Sequence, residues 1–568
     1  MPKAGIDMQE GTIVSWFKKE GEKVSTGEPI LEIITDKVNM EVESEGDGIL
    51  AVITHDTEGE VLPVFTVIGA IAEKGEDPAD IKAKLLSNTY EKSTSKQENI
   101  EEVKKEAVAD KKDSKYDYDV VVVGGGPAGY VAAIKAAMLG GKVAIVEEDK
   151  FGGTCLNRGC IPTKTYMENV EVLETLKEFE KRGLEVKIEK QDIKKSVKYK
   201  KRVVKKLVAG VEGLLKSQGV TLFKAKATVK KANEVLLDDG KKLSTENIII
   251  ATGSKPSVNS NRINSDLVLT STEALDLEEV PEEIIIVGGD FIGCEFAEIF
   301  NSRGSKVTIV EANENILLDI DEEIRNDLKD IFDKKGIKIE LNKQLEKIVE
   351  DNSQVIVKLS NSEEIKADKV LLSLGRECNL NGIEDLNLKL KNNAIVVNSK
   401  METSIPSIYA VGDVTGIDMT AHIAFQMGEI AAKNIMGIVT ELDKSASPKC
   451  LYTVPQVASI GFTEEEAKNK YNIKVGKFSF GANGKALAES STDGYIKIIA
   501  EEKYGEILGV HMIGSAVTEL INEASILKVL EVPVDEGAEL IFAHPTKSEV
   551  LKEALADVYN SSIHTPKK

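Results

Sequence analysis

Cysteine is scarce in this sequence: the chain of 568 residues has five, at positions 155, 160, 294, 378 and 450. So few thiols form no structural disulfide framework in a chain of this length, and none stands in a Cys/His cluster with zinc-ligand spacing, so no metal site is predicted. Long apolar runs are also missing. Because no stretch of about 18 apolar residues is present and the N-terminus lacks the pattern of a signal peptide, we predict a cytoplasmic protein without a membrane partner.

Basic residues are outnumbered, with 73 Lys and Arg against 95 Asp and Glu, so the net charge is −22. A chain this acidic is repelled by phosphate backbones and anionic lipid surfaces, which argues against nucleic acid as a partner. The length exceeds the roughly 250 to 300 residues at which single cores stop growing. We therefore expect several domains.

The first 80 residues alternate apolar and polar positions in short runs separated by glycine, which predicts a small all-β module. The segment 35–38, Thr-Asp-Lys-Val, lies between two of these runs and places Lys37 at a predicted hairpin tip. Residues 81–116 are then rich in Lys, Glu, Ser and Asp, with few apolar positions. That composition predicts a flexible charged linker.

A dinucleotide-binding pattern follows the linker. The apolar strand 118–123 leads into residues 124–129, Gly-Gly-Gly-Pro-Ala-Gly, which we call the first glycine loop. A helix and a second strand ending at Glu147 come next. Gly124, Gly126 and Gly129 permit a tight turn and the approach of backbone N–H groups to a pyrophosphate, and Glu147 can accept hydrogen bonds from ribose hydroxyls.

The pattern occurs a second time at residues 288–293, Gly-Gly-Asp-Phe-Ile-Gly, the second glycine loop. Glu311 ends the following strand at the spacing that Glu147 has in the first pattern, and no arginine follows it for a 2′-phosphate, so NAD is preferred over NADP. Besides Gly288 and Gly293, the pattern expects a middle glycine, and here that residue is Asp290. Its side chain predicts either weaker NAD binding or a displaced loop, and the alternative is a loop that binds no nucleotide.

Cys155 and Cys160 come directly after the first pattern. With four residues between them, they can close a small ring if the segment is one distorted helical turn. In a reducing cytoplasm, an isolated pair of this kind is more often two structural thiols. The residues alone leave both interpretations open.

In its context, the run Gly-Gly-Thr-Cys-x4-Cys-Ile-Pro-Thr-Lys resembles the redox segment of the flavin-dependent pyridine nucleotide-disulfide oxidoreductases. The resemblance implies that Cys155 and Cys160 form a redox disulfide, that the first glycine loop binds FAD and that the second binds NAD. It implies that Glu295 pairs with Lys164 beside the flavin. It also implies cofactor contacts at Gly253, Gly375, Asp413 and Ala421.

The N-terminal module resembles a lipoyl domain, with Lys37 flanked by Asp36 and Val38 rather than by the methionines usual in biotin carriers. This resemblance implies covalent lipoate on Lys37. The fold class that follows is α/β, with two Rossmann-like nucleotide-binding domains and an α+β dimerisation domain behind a small all-β lipoyl domain on a flexible linker. The expected boundaries are 1–80 (lipoyl), 81–116 (linker), 117–260 and 381–447 (FAD), 261–380 (NAD) and 448–568 (dimerisation).

Near the C-terminus, Glu549 is close enough in sequence to His544 to orient the imidazole. The resemblance implies a homodimer in which His544 reaches across the interface and takes a proton from a substrate thiol. The thiolate then attacks Cys155, Cys160 becomes the thiolate beside FAD, and the electron pair passes to NAD. The implied reaction is the reoxidation of protein-bound dihydrolipoamide, with ping-pong kinetics.

The implied partners are the lipoylated domain of the same or a neighbouring chain and the acyltransferase core of a 2-oxoacid dehydrogenase-type, acetoin or glycine-cleavage complex. Glutathione reductase or mercuric reductase would share the disulfide, but the first expects basic residues for NADP and the second a cysteine pair at the C-terminus. A lipoyl-bearing scaffold weakened by Asp290 is an alternative from another class. Turnover and NAD affinity distinguish it.

Overall fold

The computed structural model describes residues 10–34, 39–44, 46–55, 61–63, 66–73, 76–79, 81–82, 115–258 and 265–565. Lys37 and most of the predicted linker lie outside the described residues. The chain divides into two compact units, Met1–Asp113 and Ser114–Lys568. In the described parts of the chain, no helix is long and apolar enough to cross a membrane.

Where the structure describes it, the stretch from residue 10 to residue 73 is built from β-strands, as predicted, because its alternating runs place one face of each strand in a shared core around Ile13, Leu31, Ile33 and Leu50. Residues 78–79 and 81–82 of the same unit are helical. One sheet has the strand order Asn39–Glu43, Pro29–Ile34, Glu10–Trp16, Val61–Pro63, and the other has the order Lys23–Val24, Gly48–Ile53, Gly69–Glu73. The strands on either side of residues 35–38 pair antiparallel, with Ile34 opposite Asn39.

The first sheet of the large unit is mainly parallel. Its parallel strands, in spatial order, are Thr221–Lys224, Val143–Glu147, Tyr118–Val123, Lys242–Ile250 and Ile408–Ala410. Glu234–Leu237 and Ala227–Lys231 extend it antiparallel. Helices Pro127–Met138 and Ala421–Ile435 pack closely on each other, because a Cβ at Gly428 would lie only 2.4 Å from the Ala128 carbonyl oxygen.

A second parallel sheet confirms the second nucleotide-binding fold. Its order is Val268–Leu269, Lys369–Leu372, Glu283–Val287, Lys306–Val310, Lys338–Glu340. Helices Phe291–Ser302 and Glu322–Lys334 follow its strands, and Leu345–Asp351, Gln354–Leu359 and Glu364–Ala367 form an antiparallel meander beside it. Ser254–Pro256 pairs with Arg376–Cys378 where the chain passes between the two folds.

The C-terminal part is α+β, as predicted. Its antiparallel sheet has the order Lys449–Leu451, Gln456–Gly461, Ile507–Gly514, Tyr495–Glu501, Ile473–Ser479. Its helices are Glu464–Lys468, Gly484–Glu489, Val517–Val529, Val534–Glu539 and Glu549–Asp557. The other helices of the large unit are Gly153–Arg158, Cys160–Phe179, Ile193–Ser217 and Ser271–Ala274; short 3₁₀ turns lie at Glu180–Arg182, Glu384–Leu386, Gly412–Thr415 and Phe480–Ala482, and Leu390–Lys391 pairs with Ala394–Ile395.

Candidate functional site

The carboxyl edge of the first parallel sheet gathers four of the predicted FAD positions. In open α/β sheets, ligands bind at this edge, where strand ends and helix N-termini meet. Glu147 is the last residue of its strand, and Gly124 directly follows another strand. Gly253 and Asp413 each lie three residues beyond the end of a strand.

Cys155 and Cys160 stand on either side of a break between two helices and form a disulfide, with 4.7 Å between their Cα atoms. Gly159 is the C-cap of helix Gly153–Arg158, and Cys160 is the first residue of helix Cys160–Phe179. The sequence predicted that the two cysteines could close a ring only if the helical turn between them were distorted, and the break at Gly159 is that distortion. Because Cys160 lies at the N-terminus of a long helix, the helix dipole stabilises a thiolate there.

Two glycines hold the cysteine segment against the first glycine loop. Gly152 has a φ of 90°, and a Cβ on it would lie 2.2 Å from the Leu156 side chain. A Cβ on Gly153, whose φ is 54°, would lie 2.6 Å from the Gly126 Cα atom. The Asn157 amide donates to the Gly153 carbonyl at 2.9 Å. The disulfide is therefore fixed beside the loop that is predicted to bind pyrophosphate.

The two glycine loops have the same backbone geometry. The first glycines, Gly124 and Gly288, have φ values of 107° and 111°. A Cβ on Gly129 would lie 1.9 Å from the Gly124 carbonyl oxygen, and a Cβ on Gly293 would lie 2.0 Å from that of Gly288. The prediction of a displaced second loop is therefore wrong, and Asp290 is accommodated within an undistorted loop.

In both nucleotide-binding patterns, the acid at the end of the strand that follows the helix contacts the glycine loop. Glu147 accepts a hydrogen bond from the Gly125 N–H at 2.7 Å, and Glu311 accepts one from the Gly289 N–H at the same distance. Burial raises the pKa of Glu147. Each carboxylate is therefore held at the loop where a ribose would lie.

Lys164 and Glu295 form the predicted ion pair, with the lysine Nζ 2.8 and 2.9 Å from the two carboxylate oxygens. Glu295 is buried, and it also accepts from the Tyr452 N–H at 3.1 Å. The lysine Nζ lies 4.4 Å from the centre of the Tyr452 ring. The pair places a partly desolvated positive charge one helical turn from Cys160.

One cavity of about 1290 Å³ connects these groups. The predicted positions that line it are Gly124, Gly126, Glu147, Cys155, Cys160, Lys164, Gly253, Glu295, Gly375, Asp413 and Ala421. Gly129, Gly288, Gly293, Glu311, His544 and Glu549 are not among its lining residues. Asp290 does line it, so the cavity extends from the first glycine loop to the second.

Sequence reasoning missed a polar group around Asp413. The Ser254 hydroxyl donates to the Asp413 carboxylate, and Arg376 donates from Nε to the Ser254 hydroxyl oxygen at 2.7 Å. The Arg376 Nε also lies 3.7 Å from Asp413. The pairing of strands Ser254–Pro256 and Arg376–Cys378 brings the three together. The sequence predicted a cofactor contact at Gly375 but none at the neighbouring Arg376.

Cys450 is a further cavity residue that the sequence did not assign to the site. It lies on strand Lys449–Leu451, two residues before Tyr452. Burial raises the pKa of the Cys450 thiol to about 11, so the thiol is protonated at neutral pH.

His544 and Glu549 are paired, with the histidine Nδ1 2.8 Å from the carboxylate. Although partial burial acts to raise it, hydrogen bonds from the Thr546 N–H and from His544 hold the pKa of Glu549 below its usual value. The imidazole is 78% exposed. Within one chain, the two members of this dyad contact each other, and neither lines the cavity that holds the disulfide.

The residues of the cavity fit FAD. At the first glycine loop, a Cβ on Gly126 would come no closer than 3.8 Å to another atom, the Gly153 Cα, and the helix behind it has no side-chain cap that would compete for a phosphate. Helix Ala421–Ile435 also directs its N-terminus at the cavity, since Thr420 and Ala421 line it. Glu147, Asp413 and Lys164 supply a ribose acceptor, a polyol acceptor and a cation.

Comparisons with known proteins agree with this geometry. The family model described as pyridine nucleotide-disulphide oxidoreductase matches residues 118–428, and that of the dimerisation domain of the same family matches residues 447–555. A biotin/lipoyl family model, described as biotin-requiring enzyme, matches residues 1–71.

Curated relatives include a dihydrolipoyl dehydrogenase of Bacillus subtilis (strain 168), which is 39% identical over 79% of this chain and 99% of its own length. Another, of Chlamydia pneumoniae, is 36% identical over 80% and 99%. Among solved structures, LpdA from Mycobacterium tuberculosis has a TM-score of 0.73 at 22% identity over 77% of this chain and 98% of its own. The HOCl-induced flavoprotein disulfide reductase RclA from Escherichia coli has 0.70 at 27% over 77% and 99%.

Proposed function

The chain belongs to the pyridine nucleotide-disulphide oxidoreductases, as a member of their dihydrolipoyl dehydrogenase family, and we propose that it serves a multienzyme complex by oxidising dihydrolipoyl groups held on protein lysines. FAD and NAD are the cofactors of this family. The observation that supports the proposal most directly is the Cys155–Cys160 disulfide in a single cavity with the Lys164–Glu295 pair and Asp413.

We assign Cys155 to the exchange with substrate. A substrate thiolate attacks the Cys155 sulfur, which breaks the bond to Cys160 and leaves Cys160 as a thiolate. The second substrate thiol loses its proton and attacks the substrate sulfur of the mixed disulfide, which releases Cys155 and closes the lipoyl disulfide. The substrate is thereby oxidised by two electrons, and the protein is left as a dithiol.

Cys160 is assigned to the flavin side of the pair because it begins helix Cys160–Phe179, whose N-terminus stabilises its thiolate. FAD, when bound, supplies two-electron chemistry between this dithiol and NAD. Lys164, held by Glu295, would place its charge beside the flavin ring, and Glu147 and Asp413 would hold the ribose and the ribityl chain. Gly288, Gly293 and Glu311 would hold NAD.

His544 is assigned as the base that deprotonates the substrate, with Glu549 fixing its tautomer through the bond to Nδ1. Its imidazole is exposed and lies outside the cavity of its own chain, which supports a base delivered by a second copy. The match of residues 447–555 to the dimerisation domain also supports this homodimer.

The N-terminal unit is proposed to carry lipoate on Lys37, which makes the protein both an enzyme and a carrier of its own substrate group. A tethered lipoyl arm is present at high effective concentration near a disulfide site of its own or a neighbouring chain. The further partner proposed is the acyltransferase core of a 2-oxoacid dehydrogenase-type complex. A cytoplasmic location stays a prediction.

The test of the proposed function is to reduce the FAD-loaded protein anaerobically with free dihydrolipoamide and to map alkylated cysteines by mass spectrometry. Cys155 and Cys160 should gain label when they are alkylated after reduction, and NAD added before the alkylating reagent should decrease that label as NADH forms. Glutathione disulfide with NADPH serves as the comparison substrate pair, since it would suit a reductase of another type. Reduction of Cys155 and Cys160 by NADPH, with reoxidation by glutathione disulfide, but no reduction by dihydrolipoamide would contradict the proposal.

Replacing Lys37 with arginine is expected to remove lipoate from the protein. Intact-mass measurement of protein expressed with lipoate should show the added mass in the wild type and in the matched Lys23→Arg variant, whose lysine is also in the lipoyl unit. The Lys37→Arg variant should lack that mass, because an arginine guanidinium forms no amide with lipoate. Lipoylation that persists in Lys37→Arg would place the attachment site elsewhere.

A further inference from the structure

Asp290 occupies the backbone position that a glycine occupies in the first glycine loop. Asp290 has φ −80° and ψ −176°, and Gly126 has φ −72° and ψ −174°. Both residues are the N-caps of the helices that follow. Since these angles are open to any residue, the aspartate causes no backbone strain. The difference between the two loops is therefore the side chain alone.

The Asp290 carboxylate uses hydrogen-bond donors at the helix N-terminus. Its Oδ1 accepts from the Gly293 N–H at 2.8 Å and from the Ser373 hydroxyl at 2.5 Å. Helix Pro127–Met138 has no side-chain cap at the equivalent place. In a fingerprint of this type, the middle glycine lets the backbone approach the pyrophosphate, which the helix N–H groups and dipole attract.

Charge adds to this competition. Glu311 lies on the other side of the same loop, where its carboxylate accepts from the Gly289 N–H. A pyrophosphate bound here would meet the carboxylates of Asp290 and Glu311. The Asp290 carboxylate already accepts hydrogen bonds from donors that the pyrophosphate would need. At the first glycine loop, Glu147 accepts the corresponding bond from the Gly125 N–H, and the position of Asp290 is taken by Gly126, which has no carboxylate.

We propose that Asp290 sets a low affinity for the nicotinamide dinucleotide by occupying the pyrophosphate subsite of the second glycine loop with its own carboxylate. This inference rests on the proposed use of NAD. Because NAD+ and NADH carry the same pyrophosphate, Asp290 weakens the binding of both. The enzyme then has a high KM for NAD and releases NADH quickly.

The test compares Asp290→Gly, which recreates the first loop, and Asp290→Asn, which keeps the cap without the charge, with the wild type. Dissociation constants of NAD+, NADH, ADP-ribose and adenosine are measured by calorimetry on the FAD-loaded, full-length protein. Glu314→Gln is the matched control, because Glu314 is an exposed acid three residues beyond Glu311.

We expect Asp290→Gly to bind the three diphosphate ligands on the order of ten- to a hundredfold more tightly, because the substitution removes a like charge and frees the donors that the carboxylate occupies. Asp290→Asn should fall between Asp290→Gly and the wild type, and adenosine should bind equally to all. In steady state, the KM for NAD should fall in step. The proposal is overturned if either variant binds NAD+ no more tightly than the wild type, if adenosine gains as much as ADP-ribose, or if Glu314→Gln has the same effect.

Failure of this inference is distinct from failure of the proposed function. Reduction of the disulfide by dihydrolipoamide involves Cys155 and Cys160 and no contact with the second glycine loop. All variants should therefore show the same anaerobic labelling of the two cysteines. Loss of that labelling in the wild type would contradict the function, whereas unchanged NAD affinity with normal labelling would contradict only the role of Asp290.

Discussion

Cys155→Ser and Cys160→Ser are each expected to reduce the turnover of dihydrolipoamide with NAD by at least about 10³-fold, because residues that act as one unit lose nearly the whole effect when either is removed. Without Cys155, no sulfur receives the substrate thiolate. Without Cys160, Cys155 has no disulfide bond, so the substrate thiolate has no leaving thiolate to displace and no mixed disulfide forms. Steady-state assays of FAD-loaded protein measure this loss.

The two variants should retain FAD and the fold. Neither cysteine side chain belongs to a core cluster, and the glycines that position the segment are unchanged. Cys378→Ser is the matched control, since Cys378 is a free thiol that donates to the Asp413 carbonyl and serine keeps that donor. Substantial turnover in Cys155→Ser would remove the disulfide from the mechanism.

Much of this site could be predicted because many of its functional residues lie in short sequence motifs. The glycine loops, the acids that follow them and the cysteine pair each need a fixed local spacing, so one sequence suffices to find them. The β pattern of the first 80 residues was likewise visible, since alternation along a strand decides which side chains reach the core.

The contacts around Asp413 and Lys164 could not be predicted in the same way. Ser254, Arg376 and Asp413 meet only because two short strands pair across more than a hundred residues of chain. Tyr452 reaches the Lys164–Glu295 pair from the C-terminal sheet. No local period or spacing encodes such a meeting.

Asp290 shows where sequence reasoning stops for a different reason. A residue other than glycine in a fingerprint predicts either weaker nucleotide binding or a displaced loop, and whether the loop is displaced depends on the φ angle of that position. At Gly288, with φ at 111° and Ser373 O 1.8 Å from a would-be Cβ, a side chain would move the loop. At position 290 it does not, and the side chain finds donors of its own.

Hybrid dimers should reveal which chain supplies His544. His544→Gln is expected to lower turnover about 10²- to 10⁴-fold, the usual contribution of a general base. His564→Gln is its matched control, because the exposed His564 imidazole forms a similar pair, with its Nδ1 2.8 Å from the Glu553 carboxylate. Glu553 lies on the same helix as Glu549. That control should retain full turnover.

Two differently tagged chains, one with Cys155→Ser and one with His544→Gln, can then be co-expressed and the hybrid dimer isolated through both tags. If His544 acts on the disulfide of the other chain, the hybrid has one site with both defects and one intact site, so its turnover should be about half that of the wild type. If His544 acts within its own chain, every site lacks one group and the hybrid is inactive. A hybrid of Cys155→Ser with Cys160→Ser has no intact disulfide under either arrangement, so activity regained only in the first hybrid locates the base across the interface.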